Sequence, residues 1–230
     1  LSAIRLIVGM AEKKTLSQVY EGKPVSEETA RVTLRAPTQP RGQARVDAIL
    51  DAAAGIIAEK GMARLTMHGI ARQASTSIGS LYHFFPDQAG VLEALVARHN
   101  ARIEQIKTEL DAIPANIWRD LSVDEAIERL ISPYLEYARQ HPDFFPLMHG
   151  KRTPDEEAGF IEGVGRMLAA RMPELSSSAL ERHAAMLHAM AAGTLHVAYI
   201  LEPEQLAFYM REVPRALTAY LADIERETHG

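Results

Sequence analysis

The chain has 230 residues, 47% of them hydrophobic and 24% charged, a balance that argues against a disordered or fibrous protein and leaves enough length to bury a sizeable core. It has no cysteine, which excludes disulfides, thiolate metal sites, thiol catalysis and a cysteine redox switch, and fits a cytoplasmic setting. The net charge of -5 is unevenly divided: residues 1–100 carry 12 Lys and Arg against 9 Asp and Glu, the remainder 13 against 21, so a mildly basic front suited to phosphates precedes an acidic back.

The abundance of Ala, Leu, Glu and Arg favours an all-α fold. Residues 1–10 are apolar but too short to span a bilayer and lack the ordered regions of a signal peptide, so no membrane association is expected. From Ala11 to Pro40 no period is sustained, and Pro24, Pro37 and Pro40 with Gly22 predict a mobile arm over 1–40. Arg31, Arg35 and Arg41 at its end suit either a phosphate or minor-groove contact or a solvated tail.

Gln43 to Lys60 is amphipathic, with Val46, Ile49, Leu50, Ala53 and Ile57 on one face and Gly61 placed to close it. Thr66 can cap a second helix in which Met67, Ile70, Ala71 and Ala74 share a face. Ser75, Thr76 and Ser77 interrupt that pattern. Ile78, Leu81, Tyr82 and Phe85 then resume it until Pro86. Helix, tight turn and helix within 41–86 outline a helix-turn-helix domain.

Residues 87–230 read as a larger helical domain. A long helix runs from Asp87 to about Asp111, with Val91, Leu92, Leu95, Val96, Ile103, Ile106 and Leu110 as its buried series, and Pro114 stops it. Ser122 and Glu125 make a capping-box pattern before a helix kinked at Pro133 and ended by His141-Pro142. Phe144 to Met148 is a short apolar segment, Lys151 to Glu157 a polar loop, and Asp155 to Met172 a helix. Two helices, Ser177 to Ile200 and Glu204 to Glu227, close the chain; their apolar and small residues suit a core or a homodimer face.

Four motifs stand in order: IL-x-AA at Ile49 to Ala53, EKG at Glu59 to Gly61, LTM-x-x-IA at Leu65 to Ala71 and S-x-GSLYHFF at Ser77 to Phe85. In this 50-residue block the chain resembles the tetracycline-repressor (TetR) family of transcription regulators. The resemblance implies a homodimer whose helix-turn-helix binds operator double-stranded DNA and whose C-terminal domain binds a small-molecule effector that weakens that binding. Three positions depart from the family pattern. Ser75 and Thr76 stand where glycine and a hydrophobic residue are usual, and Gln88 replaces a phosphate-touching lysine.

If the second helix of the motif enters the major groove, Thr76, Ser77, Ile78, Ser80 and His83 are the candidates for base edges or nearby phosphates. Gly79 would allow close backbone approach, and Tyr82 matches the family's phosphate-contacting tyrosine. Arg45 and Thr66 are further anchoring candidates; alternatively they are a solvated helix charge and an N-cap. Trp118, Tyr134, Tyr137, Phe144, Phe145, Met148, Phe160, Met167, Met186 and Met190 either line an effector cavity or pack the core. His141, His149, His183, His188 and His196 lack same-face metal spacing, and no catalytic signature or phosphate-cradling loop occurs, so no metal, cofactor or enzymatic activity is expected. The leading expectation is a ligand-released transcriptional repressor. The alternative is a helical dimerisation or protein-docking module with only weak, non-specific DNA binding.

Overall fold

Each helix of the N-terminal half starts and stops at a residue whose chemistry dictates it. The computed structural model describes residues 40–148 and 154–229, and no strand occurs among the described residues. Residues 1–39 of the expected arm, His149 and residues 151–153 of the expected polar loop lie outside the described residues.

Helix α1, Pro40–Lys60, begins three residues before the apolar pattern does, since proline is tolerated in a first turn. It ends where Gly61, at φ 78°, donates its N–H to the Ile57 carbonyl at 2.9 Å. A 3-10 turn, Met62–Arg64, follows. Thr66 then caps α2, Met67–Gln73, by accepting from the Gly69 N–H at 3.1 Å. Ser77 caps α3, Ile78–Phe84, by accepting from the Ser80 N–H at 3.1 Å. Wholly buried Ile49, Ile57, Ile70 and Leu81 lock the three helices together, each contributing about 1.5–3 kcal/mol.

Asp87 caps α4, Gln88–Asp111, a 24-residue helix, hence about 36 Å long at 1.5 Å per residue. Beyond Pro114 the chain forms α5, Ala115–Asp120, a short helix absent from the sequence reading. The Ser122–Glu125 capping box opens α6, Val123–Gln140, with Pro133 inside it. Helix α7 is Phe144–Met148. Helix α8, Pro154–Arg171, takes residues 154–157 of the expected polar loop into its first turn, where Asp155, Glu156 and Glu157 oppose the positive helix end. Helix α9 is Ser177–Leu201, and after a 3-10 turn at Pro203–Gln205 α10 runs over Leu206–His229.

Two apolar cores result. One starts in α1–α3 and continues along α4 to Tyr137, Ala138, Phe144, Leu147 and Met148. The other joins Trp118 and α6 to α8, α9 and α10. The second is pinned by Arg171, whose side chain is nearly buried: it bonds Glu225 at 2.5 Å and the carbonyls of Trp118 and Leu121 at 2.7 Å each. Helix α4 therefore runs from the helix-turn-helix into the C-terminal part as a shared wall.

Candidate nucleic-acid interface and effector cavity

The turn between α2 and α3 closes by two backbone bonds, Ser75 N–H to the Arg72 carbonyl at 3.3 Å and Thr76 N–H to the Ala71 carbonyl at 3.0 Å. This is a Schellman closure, whose C′ position demands a left-handed residue. Ser75 supplies it at φ 50°, the one positive φ outside glycine among the described residues. Replacing the usual glycine therefore leaves the geometry intact and adds local strain.

Helix α3 divides cleanly. Leu81 is buried and Ile78 half-buried, whereas Gly79, Tyr82 and His83, spaced i, i+3 and i+4, are exposed together. A Cβ built at Gly79 would meet nothing within 4 Å, so the packing of the chain does not require glycine there. Exposed Arg45 of α1 donates to the half-buried Ser80 hydroxyl at 3.3 Å, which sets a cation beside this face. Thr66 and Ser77 spend their hydroxyl oxygens on capping, although both residues stay exposed. Thr76 differs from the expectation: its Oγ1 is buried and has no hydrogen-bond partner among the described residues, so the hydroxyl faces the packing rather than solvent.

The C-terminal part holds a cavity of about 770 Å³ between α4, α5, α6, α7, α8 and α9, with Leu217 of α10 at its wall. Trp118, Tyr134, Phe144, Phe145, Met148 and Phe160 lie in its walls. Four candidates do not. Tyr137 turns to bond His99, Met167 is wholly buried in the second core, Met190 packs against that core, and Met186 is 48% exposed. Helical spacing marks a residue as apolar-facing without saying whether core, cavity or an outer surface receives it.

The cavity's charged residues are already partnered. Lys107 bonds Asp111 at 3.2 Å, Arg166 pairs with the same carboxylate, and His188 pairs with Glu157. Phe160 stacks on His188 with centroids 5.6 Å apart, and Tyr134 meets Phe160 edge-on at 5.7 Å. The walls thus offer apolar and aromatic surface with few polar points, the usual make-up of a small-molecule site. Among the described residues no group of three or more His, Asp or Glu stands close enough to hold a metal. His183 instead contacts the Tyr220 hydroxyl at 3.0 Å, and the ring of His141 lies against Tyr137.

One polar group escaped the sequence reading altogether. His99 sits in α4 wholly buried, between Leu95 and Ile103 of the apolar series. Its place in that series, four residues from each neighbour, was the available signal. Its partner Asp143 is also buried. Burial by itself would raise the Asp143 pKa, but the hydrogen bond and charge of His99 outweigh it and hold the carboxyl below its ordinary value. Burial and the nearby Asp143 charge push the Tyr137 hydroxyl up.

Comparison with known proteins follows the same division of the chain. Residues 49–95 match the bacterial regulatory proteins of the tetR family, and residues 122–221 match the tetracyclin repressor-like C-terminal domain. The nucleoid occlusion factor SlmA of Haemophilus ducreyi is 30% identical over 107 residues, 46% of this chain and 50% of that one. SlmA of Mannheimia succiniciproducens is 26% identical over 151 residues, 65% of this chain and 63% of that one. The chain thus spans about half the length of the first of these curated relatives. Among solved structures, a TetR-family transcriptional regulator from Streptomyces coelicolor has a TM-score of 0.53 at 23% identity, covering 80% of this chain and 99% of that one. The SmeT–triclosan complex has a TM-score of 0.56 at 24% identity, covering 79% and 91%. These two likenesses speak for the fold alone. With both its N-terminal and C-terminal parts matched, over more than half its length, the chain belongs to the tetR family of bacterial regulatory proteins.

Proposed function

We propose that the chain is a cytoplasmic, homodimeric transcriptional repressor that binds an operator through α3 and leaves it when a small apolar molecule enters the cavity. The observation that carries this is the double role of α4: it packs under the helix-turn-helix at Val91 and Leu95 and walls the cavity at Ile103, Lys107 and Leu110. A ligand that favours one position of α4 would change the spacing of the two reading heads, provided it binds that state better than the other.

A dimer face is supported by α9, where Met186, Ala189, Gly193, Val197 and Ile200 form one exposed stripe at helical spacing. A Cβ at Gly193 would meet nothing within 4 Å of this chain, which leaves room for a second copy. By length and composition α9 would also pass for a membrane span, with 17% of its apolar window buried; burial against a partner copy accounts for the same apolarity. Two reading heads related by a dyad then suit half-sites roughly 34–36 Å apart. The cavity has room for an aromatic ligand of the kind held in the SmeT–triclosan complex.

Gel-shift titration against DNA flanking the gene tests the reading: a salt-dependent, sequence-preferring complex is expected, and its absence sinks the proposal. The departures at Ser75, Thr76 and Gln88 favour a second reading, a helical dimerisation or protein-docking module with only weak, non-specific DNA binding. It predicts DNA affinity indifferent to any small molecule that fills the cavity.

A further inference from the structure

A buried histidine is tolerated when its ring nitrogens are both partnered. In His99 they are: Nε2 lies 3.0 Å from Asp143 Oδ2 and Nδ1 2.6 Å from the Tyr137 hydroxyl. An ionised carboxylate only accepts, so Nε2–H donates to Asp143, while Nδ1 pairs with the Tyr137 hydroxyl. The network joins α4, the end of α6 and the residue preceding α7. Apolar side chains of similar size would fill the same volume without the desolvation cost. What the polar trio adds is direction, because its bonds hold over a few tenths of an ångström and then fail.

Its position gives that property a use. Phe144, next to Asp143, and Met148 wall the cavity, as does Ile103, one turn beyond His99. On the other side of the network Arg98, adjacent to His99, bonds Asp51 of α1 at 2.6 Å. A groove of about 410 Å³ bordered by Asp51, Arg98, Tyr137 and Asp143 leaves space for these groups to move.

We propose that the His99–Tyr137–Asp143 network is the element that couples the cavity to the reading head. Intact, it holds α4 in the position that suits DNA; a molecule that displaces Phe144 or Met148 draws Asp143 off His99 and releases α4. This rests on the ligand-release reading above and names the residues that transmit it. None of the three lies on the exposed face of α3 or walls the cavity, so they are positioning residues.

The test uses the full chain, the flanking DNA and N-phenyl-1-naphthylamine, a neutral apolar fluorophore, as the cavity probe. In the wild type, saturating probe is expected to weaken DNA binding roughly 5- to 150-fold. The double variant His99→Phe/Asp143→Leu should still bind probe, should bind DNA about as weakly as the probe-saturated wild type, and should bring that ratio to about 1, the no-coupling value. Tyr137→Phe and Asp143→Asn retain side-chain shape and should each lower the ratio, which keeps the test decisive if the double variant does not fold. Variants that keep the wild-type ratio, whatever their stability or DNA affinity, overturn the coupling proposal and leave ligand release standing. A wild-type chain that fails to bind probe, or binds it with no effect on DNA affinity, overturns ligand release and this proposal with it.

Discussion

Substituting Gly79 by alanine sets stability against function at a single methyl group. The added Cβ meets nothing within 4 Å, and α3 is helical on both sides of it. Alanine should therefore stabilise the fold by about 0.5–1 kcal/mol, through lower unfolded-state entropy and higher helix propensity. For a chain of this size that raises Tm by roughly 1–4 °C. Gly79 nevertheless shares the exposed face of α3 with Tyr82 and His83. If that face lies in the major groove, the methyl occupies space taken by the duplex, and operator affinity should fall about tenfold or more, some 1.4 kcal/mol. Urea unfolding and gel-shift titration of the same preparation measure the two effects. Wild-type DNA affinity in G79A would show that the duplex does not approach this backbone, and a loss of stability would show that the fold itself needs glycine.

Ser75→Gly should remove the left-handed strain at φ 50°, roughly 1–2 kcal/mol, less the added unfolded-state entropy of glycine, for a net gain of about 0.5–1 kcal/mol; the urea midpoint reads it, and no gain refutes the strain. Gln88→Lys restores a cation at the start of α4 and should steepen the dependence of log affinity on log salt by about 0.9; an unchanged slope means that no phosphate lies within its reach. Ile200→Glu, at a side chain 50% exposed in this chain, should alter fold stability by no more than about 0.5 kcal/mol yet shift sedimentation from dimer to monomer; a persisting dimer places the interface elsewhere. For Asp143 the pKa is depressed in the folded state, so its contribution to stability is present above the unfolded value, about 3.9, and is lost as pH falls through the lower folded value. Below about pH 4, stability should therefore fall more steeply with acid in the wild type than in Asp143→Asn, and equal slopes in thermal melts across that range would contradict the depressed carboxyl.

The helix-turn-helix was legible because its boundaries are chemical. Thr66, Ser77, Asp87 and the Ser122–Glu125 pair each cap the helix they precede, and Gly61 takes the positive φ expected of a terminating glycine. Periodicity did less well where the question was what an apolar side chain touches. Tyr134 and Tyr137 lie three apart on α6, yet one walls the cavity while the other bonds a buried histidine, a difference decided by Asp143 and α4, remote in sequence. Met186 and Met167 both carry apolar spacing, but α9 turns the first outward and α8 buries the second. Helix α5 was missed because six residues between Pro114 and Leu121 hold too few turns to display a period; its place follows from Trp118 entering the second core.

The places where the reading head departs from a stability optimum fall within five residues. Ser75 holds a left-handed backbone, Thr76 buries a hydroxyl oxygen without a partner, and Gly79 leaves open space in a helix, each at a cost on the order of 1 kcal/mol. Glycine, valine and alanine would relieve them in turn without disturbing Ile49, Ile70 or Leu81, whose complete burial holds the three helices. Random imperfection would scatter such costs over the domain. Their concentration in the turn and the first residues of α3 is what a surface shaped for an outside partner produces, since there the shape presented outward competes with the shape that packs best inward. On the proposed reading the partner meets the same α3 face that Arg45 flanks with positive charge.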